Sequence, residues 1–107
     1  APSLPIIERL LEEGALVVAY DPVAMKNVMG IFGDRIGYAS SSESCLSGAD
    51  CCIIVTEWDE FGRMDPRVFM ESMRQPVLID GRRIYDPAEF SKSMKYIGVG
   101  LGPSKQV

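Results

Sequence analysis

Apolar positions along this chain follow two spacings. In residues 3–13 they recur as Ile6, Ile7, Leu10 and Leu11, the interval of one helical face. Ser3 is placed to cap that helix, Pro5 falls in its first turn, where a missing N–H costs nothing, and Gly14 stops it. Elsewhere the apolar residues run unbroken. Ala15-Leu16-Val17-Val18-Ala19-Tyr20 and Cys51-Cys52-Ile53-Ile54-Val55 read as strands buried on both faces, as in a parallel sheet covered by helices. Each run ends in polar residues, Asp21 in the first case and Thr56-Glu57-Trp58-Asp59 in the second.

Start signals divide the rest. Asp-Pro pairs at 21–22, 65–66 and 86–87 each put an aspartate cap before a proline suited to a first helical turn. They predict helices over 22–31, presenting Met25, Val28, Met29 and Phe32, over 66–73, burying Val68, Phe69 and Met73, and near Phe90. Ser41 or Ser42 opens a short helix through Leu46, and Gly33 and Gly48 close helices. Short strands are expected at 36–38, at an edge, and at 77–79 and 96–99, with residues 100–107 a frayed tail. Helices and strands alternate over short connections, which points to a mostly parallel α/β sheet with right-handed crossovers.

Composition narrows the functions. A chain of 107 residues is one domain, long enough to bury roughly two-thirds of its unfolded surface. The net charge of −4 argues against a general nucleic-acid or anionic-membrane surface, but leaves room for a small anion held by a local arginine. No apolar run reaches the ~18 residues of a membrane span. No basic segment followed by an apolar one opens the chain, so no secretory signal is expected. Three cysteines, Cys45, Cys51 and Cys52, are not a disulfide framework and suit a reducing cytoplasm. The absence of histidine removes Ser-His and Cys-His nucleophile pairs and most catalytic zinc sites. No metal is expected, and all three cysteines read as packing residues.

Ligands of open α/β sheets bind beyond the carboxyl ends of the strands, so those ends hold the candidate chemistry. Arg82 and Arg83 follow the strand at 77–79, and Gly81 allows close backbone approach. An arginine there offers a planar fork suited to phosphate. Equally, one arginine pairs with Asp80 or Asp86 while its neighbour is solvated. Glu57, Asp59 and Glu60 follow the 51–55 run, as general acids or a magnesium site on one reading and as solvated or capping carboxylates on the other. Trp58 either stacks on a ligand ring or covers the strand end. Asp21 is positioned like a ribose-binding acid, yet capping accounts for it, and no glycine-rich dinucleotide turn precedes it.

Taken together, Val18-Ala19-Tyr20-Asp21-Pro22, Ala49-Asp50 leading to Ile54-Val55-Thr56-Glu57-Trp58-Asp59-Glu60-Phe61, Ile79-Asp80-Gly81-Arg82 with Tyr85-Asp86-Pro87, and Tyr96-Ile97-Gly98-Val99-Gly100 resemble the C-terminal domain of the UDP-glucose/GDP-mannose dehydrogenase family, the UDP-glucose 6-dehydrogenase branch in particular. The resemblance runs from about residue 1 to residue 100. It implies a three-layer, Rossmann-like α/β domain with helices on both faces that binds the UDP part of a nucleotide sugar. It also implies an enzyme that oxidises the sugar's C6 alcohol to a carboxylate with two NAD. By resemblance Arg82 faces the substrate cleft, Asp80 and Gly81 shape its turn, and Thr56, Glu57 and Trp58 line or support the cleft. NAD belongs to an N-terminal domain and dimerisation to a central helical region, neither of which this sequence matches.

Departures from the family qualify the picture. None of the cysteines lies in the glycine-rich context of the family's nucleophile, so no catalytic residue is assigned. The family's domain also opens with a strand and a Phe-Lys…Thr-Asp-Asp…Arg-Glu segment that this sequence lacks. The expectation is a fragment of residues 1–107 forming one UDP-sugar-binding domain, inactive alone and lacking its first central strand. Such a fragment would rearrange or borrow a strand from another chain. Its partners would be a UDP-sugar, the enzyme's own other domains and a second copy of the chain. A non-catalytic nucleotide-sensing domain and an oligomerisation scaffold are the rival functions.

Overall fold

The computed structural model describes residues 3–99, and the predicted tail at 100–107 lies outside them. The chain divides into two compact units, residues 1–45 and residues 46–107. All strand pairing within each is parallel.

The first unit opens with α1 (Ser3–Glu12). Ser3 is the first residue of that helix, not its cap, which corrects the expectation from sequence. Its C-terminus closes as predicted. Gly14 takes a φ of 87°, its N–H donates to the Leu11 carbonyl at 3.1 Å, and the Ala15 N–H donates to Leu10 at 3.0 Å. Those paired bonds satisfy carbonyls that the helix end would leave bare. Next come β1 (Val18–Ala19), α2 (Met25–Phe32), a 3₁₀ turn at Gly33–Arg35 and β2 (Gly37–Tyr38), with Val18 beside Gly37 and Ala19 beside Tyr38. The core here is Ile7, Phe32 and Ile36, packed by Leu4, Leu11, Val17, Ala19, Val28 and Tyr38.

Two further expectations fail in this unit. The run at 15–20 is not buried on both faces: Leu16 is fully exposed and Val18 half-exposed, while Val17 and Ala19 turn inward. A ladder of only two strands has one covered face, so the chain alternates despite its uniform apolarity. Asp21 does receive the Val23 and Ala24 N–H groups, at 2.8 and 2.9 Å, but this closes a turn at 22–24 and α2 begins only at Met25. Past β2, the Ser41 hydroxyl caps α3 (Ser42–Leu46) by accepting from the Ser44 N–H at 3.1 Å.

The second unit is built on β3 (Cys52–Ile54), α4 (Asp59–Gly62), α5 (Pro66–Ser72), β4 (Val77–Asp80), α6 (Pro87–Ser91) and β5 (Lys95–Gly98), with strand order β3-β4-β5. The aspartates of its two Asp-Pro pairs cap as predicted, Asp65 accepting from the Arg67 N–H and Asp86 from the Ala88 N–H. Register places Cys52, Leu78 and Tyr96 in one row and Ile54, Asp80 and Gly98 two residues further on, with Ile53, Ile79 and Ile97 between them. Leu78 and Ile54 meet Leu46, Phe69, Met73, Tyr85, Phe90 and Met94 in the core. Four rings organise it. Phe69 stands edge-on to Tyr85 and Phe90 at 5.8 and 5.9 Å, Tyr85 and Phe90 lie 4.5 Å apart, and Tyr96 joins at 6.0 Å from Phe90.

The expectation of a doubly buried strand at 51–55 also needs correction. Cys51 is exposed, Cys52 and Ile53 are half-buried, and only Ile54 is fully buried. Among the described residues β3 pairs with β4 alone and so forms an edge of its ladder. Apolarity along a run records β-propensity, whereas burial requires neighbours on both edges and both faces.

Candidate functional site

Site geometry starts from Asp80, the last residue of β4, which has no exposed surface. An uncompensated buried carboxylate is costly, and this one is hydrogen-bonded at both oxygens. Its Oδ1 accepts from the Arg82 N–H at 3.2 Å. Its Oδ2 accepts from the Tyr85 N–H at 3.0 Å and from the Tyr96 hydroxyl at 2.7 Å. The chain at 81–85 is thereby folded around one side chain. Gly81 fits into the turn because its N–H donates to the Ile54 carbonyl at 2.8 Å, so closely that a Cβ would lie 2.6 Å from that oxygen. Arg83 adopts a φ of 56°, the left-handed region a non-glycine residue enters only under constraint.

Arg82 emerges from this turn half-exposed and pairs with Glu57, whose carboxylate accepts from its Nη2. The predicted alternatives, Asp80 and Asp86, are not its ion-pair partners: Asp80 receives its backbone N–H instead. The strand ends after β3 and β4 are thus tied by one ion pair. Thr56 precedes Glu57 and is half-buried, and Trp58, 39% exposed, follows it. The six predicted site residues therefore gather at the carboxyl ends of two adjacent parallel strands.

Several contributors were not visible along the sequence. Tyr85 donates its hydroxyl to the Phe61 carbonyl at 2.6 Å, anchoring α4 to the Arg82 turn. Burial pushes both the Tyr85 and Tyr96 phenols well above their ordinary range, reinforced for Tyr96 by its bond to Asp80, so both are neutral donors. The signal for these partners was Asp80 itself, since a buried acid at a strand end must find donors nearby. Residues 59–62, where no helix was expected, form α4, and with the chain after Arg83 they frame a depression of about 340 Å³ lined by Glu57, Trp58, Asp59, Gly62, Arg63 and Ile84.

Other candidates are not brought together. Among the described residues no three histidines, cysteines or acids are placed to hold a metal, so Glu57, Asp59 and Glu60 are not gathered into a three-carboxylate cluster. Cys45 donates to the Val18 carbonyl at 3.5 Å, and burial raises its thiol, the reverse of an activated nucleophile. No described helix is long and apolar enough to cross a membrane.

The family model for the UDP-glucose/GDP-mannose dehydrogenase family, UDP binding domain, matches residues 1–87. This chain belongs to that family. It is 37% identical, over 95% of its length, to a UDP-glucose 6-dehydrogenase of Pseudomonas aeruginosa, and covers 23% of that protein. It is 46% identical, over 77% of its length, to one from Haloferax volcanii, covering 18% of it. Among solved structures, a UDP-glucose dehydrogenase from Pyrobaculum islandicum superposes with a TM-score of 0.72 at 28% identity, over 89% of this chain and 20% of that one. An NDP-N-acetyl-D-galactosaminuronic acid dehydrogenase from Methanosarcina mazei gives 0.73 at 24% identity over 99% of this chain and 22% of its own, a likeness of fold. The Rossmann-type α/β architecture expected from sequence is thus the family's, and the chain spans about a fifth of the length of these relatives.

Proposed function

We propose that residues 1–107 act as the UDP-sugar-holding domain of a longer UDP-glucose 6-dehydrogenase, which oxidises UDP-glucose to UDP-glucuronate with two NAD. The observation that carries this reading is the Asp80-centred turn, which spends a fully buried carboxylate on presenting Arg82 at a strand end. Arg82 offers the diphosphate a bidentate fork, and Gly81 lets the backbone approach closely. Asp80, Thr56, Glu57 and Trp58 shape or line the same surface. Glu57 pairs with Arg82 in the free chain and gives it up to the diphosphate.

The described residues do not fit a dinucleotide. Gly14 closes a helix instead of opening a phosphate-binding turn, and Asp21 commits Oδ1 to its own turn. NAD and the catalytic nucleophile are therefore assigned to other domains of the enzyme, and the redox steps go with them. What this domain supplies is binding energy and orientation through the UDP part of the substrate. The first central strand of the doubly wound sheet is likewise assigned outside residues 1–107.

Calorimetric titration with UDP and UDP-glucose tests the reading. Arg82→Ala should weaken both about tenfold or more, a loss of about 1.4 kcal/mol. A folded chain that binds neither ligand, with or without an added upstream strand, would favour the scaffold function. Affinity unchanged in the variant would remove Arg82 from the site.

A further inference from the structure

Two arginines and one carboxylate meet at the carboxyl end of β3. Arg82 leaves a turn whose backbone is bound by Asp80. Arg63 leaves the end of α4, where its N–H donates to the Asp59 carbonyl at 3.1 Å. The Tyr85 hydroxyl holds α4 through the Phe61 carbonyl. Both guanidiniums therefore hang from anchored backbone. Glu57 lies between β3 and α4, pairs with Arg82, and has a side chain 57% exposed, so it has room to turn. It also borders the depression of about 340 Å³ that Arg63 lines. One carboxylate thus has two guanidiniums on its two sides.

A diphosphate that takes Arg82 strips Glu57 of its counter-ion and sets two anions side by side. The exposed ion pair itself is weakly held. What the bound state must avoid is a carboxylate left facing phosphate, because like charges at close range repel. Turning into the depression moves Glu57 away from the anion and toward Arg63. In the free chain the same carboxylate occupies the place that a ligand must win.

We infer that Glu57 is a positioning residue that exchanges arginines on binding, from Arg82 in the free chain to Arg63 once a diphosphate holds Arg82. The inference rests on the UDP-sugar reading above. It goes beyond that reading by making Glu57 a competitor of the ligand instead of a contact, and by adding Arg63 as the counter-ion of the displaced carboxylate.

The test is calorimetric titration of the whole chain with UDP. Glu57→Gln should tighten UDP about fivefold, the upper worth of an exposed ion pair, whereas loss of a ligand contact would weaken it. Asp59→Asn removes a second carboxylate bordering the same depression and should leave UDP within about twofold, since Asp59 does not compete for Arg82. Arg63→Gln should weaken UDP about threefold in the wild-type background and not at all beside Glu57→Gln, because the exchange needs both side chains. Glu57, Asp59 and Arg63 are all exposed, so urea midpoints should stay near wild type and separate binding from folding. UDP bound as well or less well by Glu57→Gln than by wild type would overturn the exchange and spare the UDP-sugar reading. Equal tightening by Glu57→Gln and Asp59→Asn would reduce the effect to net charge and overturn it too. So would an Arg63→Gln effect of the same size in both backgrounds. No UDP binding by the folded wild type or by Glu57→Gln would remove the exchange and the UDP-sugar reading together.

Discussion

Replacing Asp80 by Asn is the sharpest structural test, because the two side chains share a shape and differ in what they accept. The carboxylate takes three donors, the Arg82 and Tyr85 N–H groups and the Tyr96 hydroxyl. An amide has one oxygen. Placed at the Oδ2 position, it keeps Tyr85 and Tyr96 but turns its NH₂ toward the Arg82 N–H, donor against donor. Placed at Oδ1, it keeps Arg82 but strands the buried Tyr85 N–H. The first arrangement costs less, since the Arg82 backbone is only partly buried. One bond to a charged acceptor is then lost, worth about 1.5–3 kcal/mol, and two others fall to the neutral value of about 1 kcal/mol. Relief of the carboxylate's desolvation offsets part of this. A net destabilisation of about 2 kcal/mol follows, a large fraction of the roughly 5–15 kcal/mol a domain holds in total. Urea unfolding followed by circular dichroism should show the midpoint falling by about 1 M, at slopes of about 1–3 kcal/mol/M. Tyr96→Phe should destabilise less, and its effect should shrink in the Asp80→Asn background, because the two share a bond. A midpoint unchanged within error would refute the central place given to Asp80.

Gly81→Ala puts a methyl 2.6 Å from the Ile54 carbonyl oxygen; relief requires the turn to move. It should cost about 1–3 kcal/mol and weaken UDP together with stability, readable by unfolding and calorimetry on one preparation. The two tyrosines predict an alkaline limit. Both phenols titrate higher in the folded chain than their ordinary 10.0, so the folded state binds their protons more tightly. Stability from this source is whole below that value and is lost as pH rises through and beyond it. Urea midpoints should hold from about pH 8 to about pH 9 and fall by about pH 11, and Tyr85→Phe should blunt the fall.

Local signals were legible where the chemistry is local. Asp65-Pro66 and Asp86-Pro87 started helices because cap and proline act within three residues. Asp21-Pro22 carried the same signal, and its carboxylate did bind the backbone, but the helix waited until Met25. Burial of strands was misread for a different reason. The runs at 15–20 and 51–55 look alike to any count of apolar residues. How much of each is covered depends on how many strands and helices lie beside it, which a run does not encode. The site divides the same way. Strand ends and a glycine before an arginine could be seen along the chain. The pairing of Arg82 with Glu57, 25 residues away, and of Asp80 with Tyr96, 16 residues away, could not.

The Asp80 bond to Tyr96 sets the smallest portable form of this site. An engineer wishing to graft the arginine turn onto another scaffold would take residues 80–85 as the visible loop. That peptide would arrive without the hydroxyl from β5 and without the Ile54 carbonyl that seats Gly81. The transplant that keeps its shape is the parallel trio of strands with the connection through α6, a block whose parts are scattered over more than forty positions of the chain.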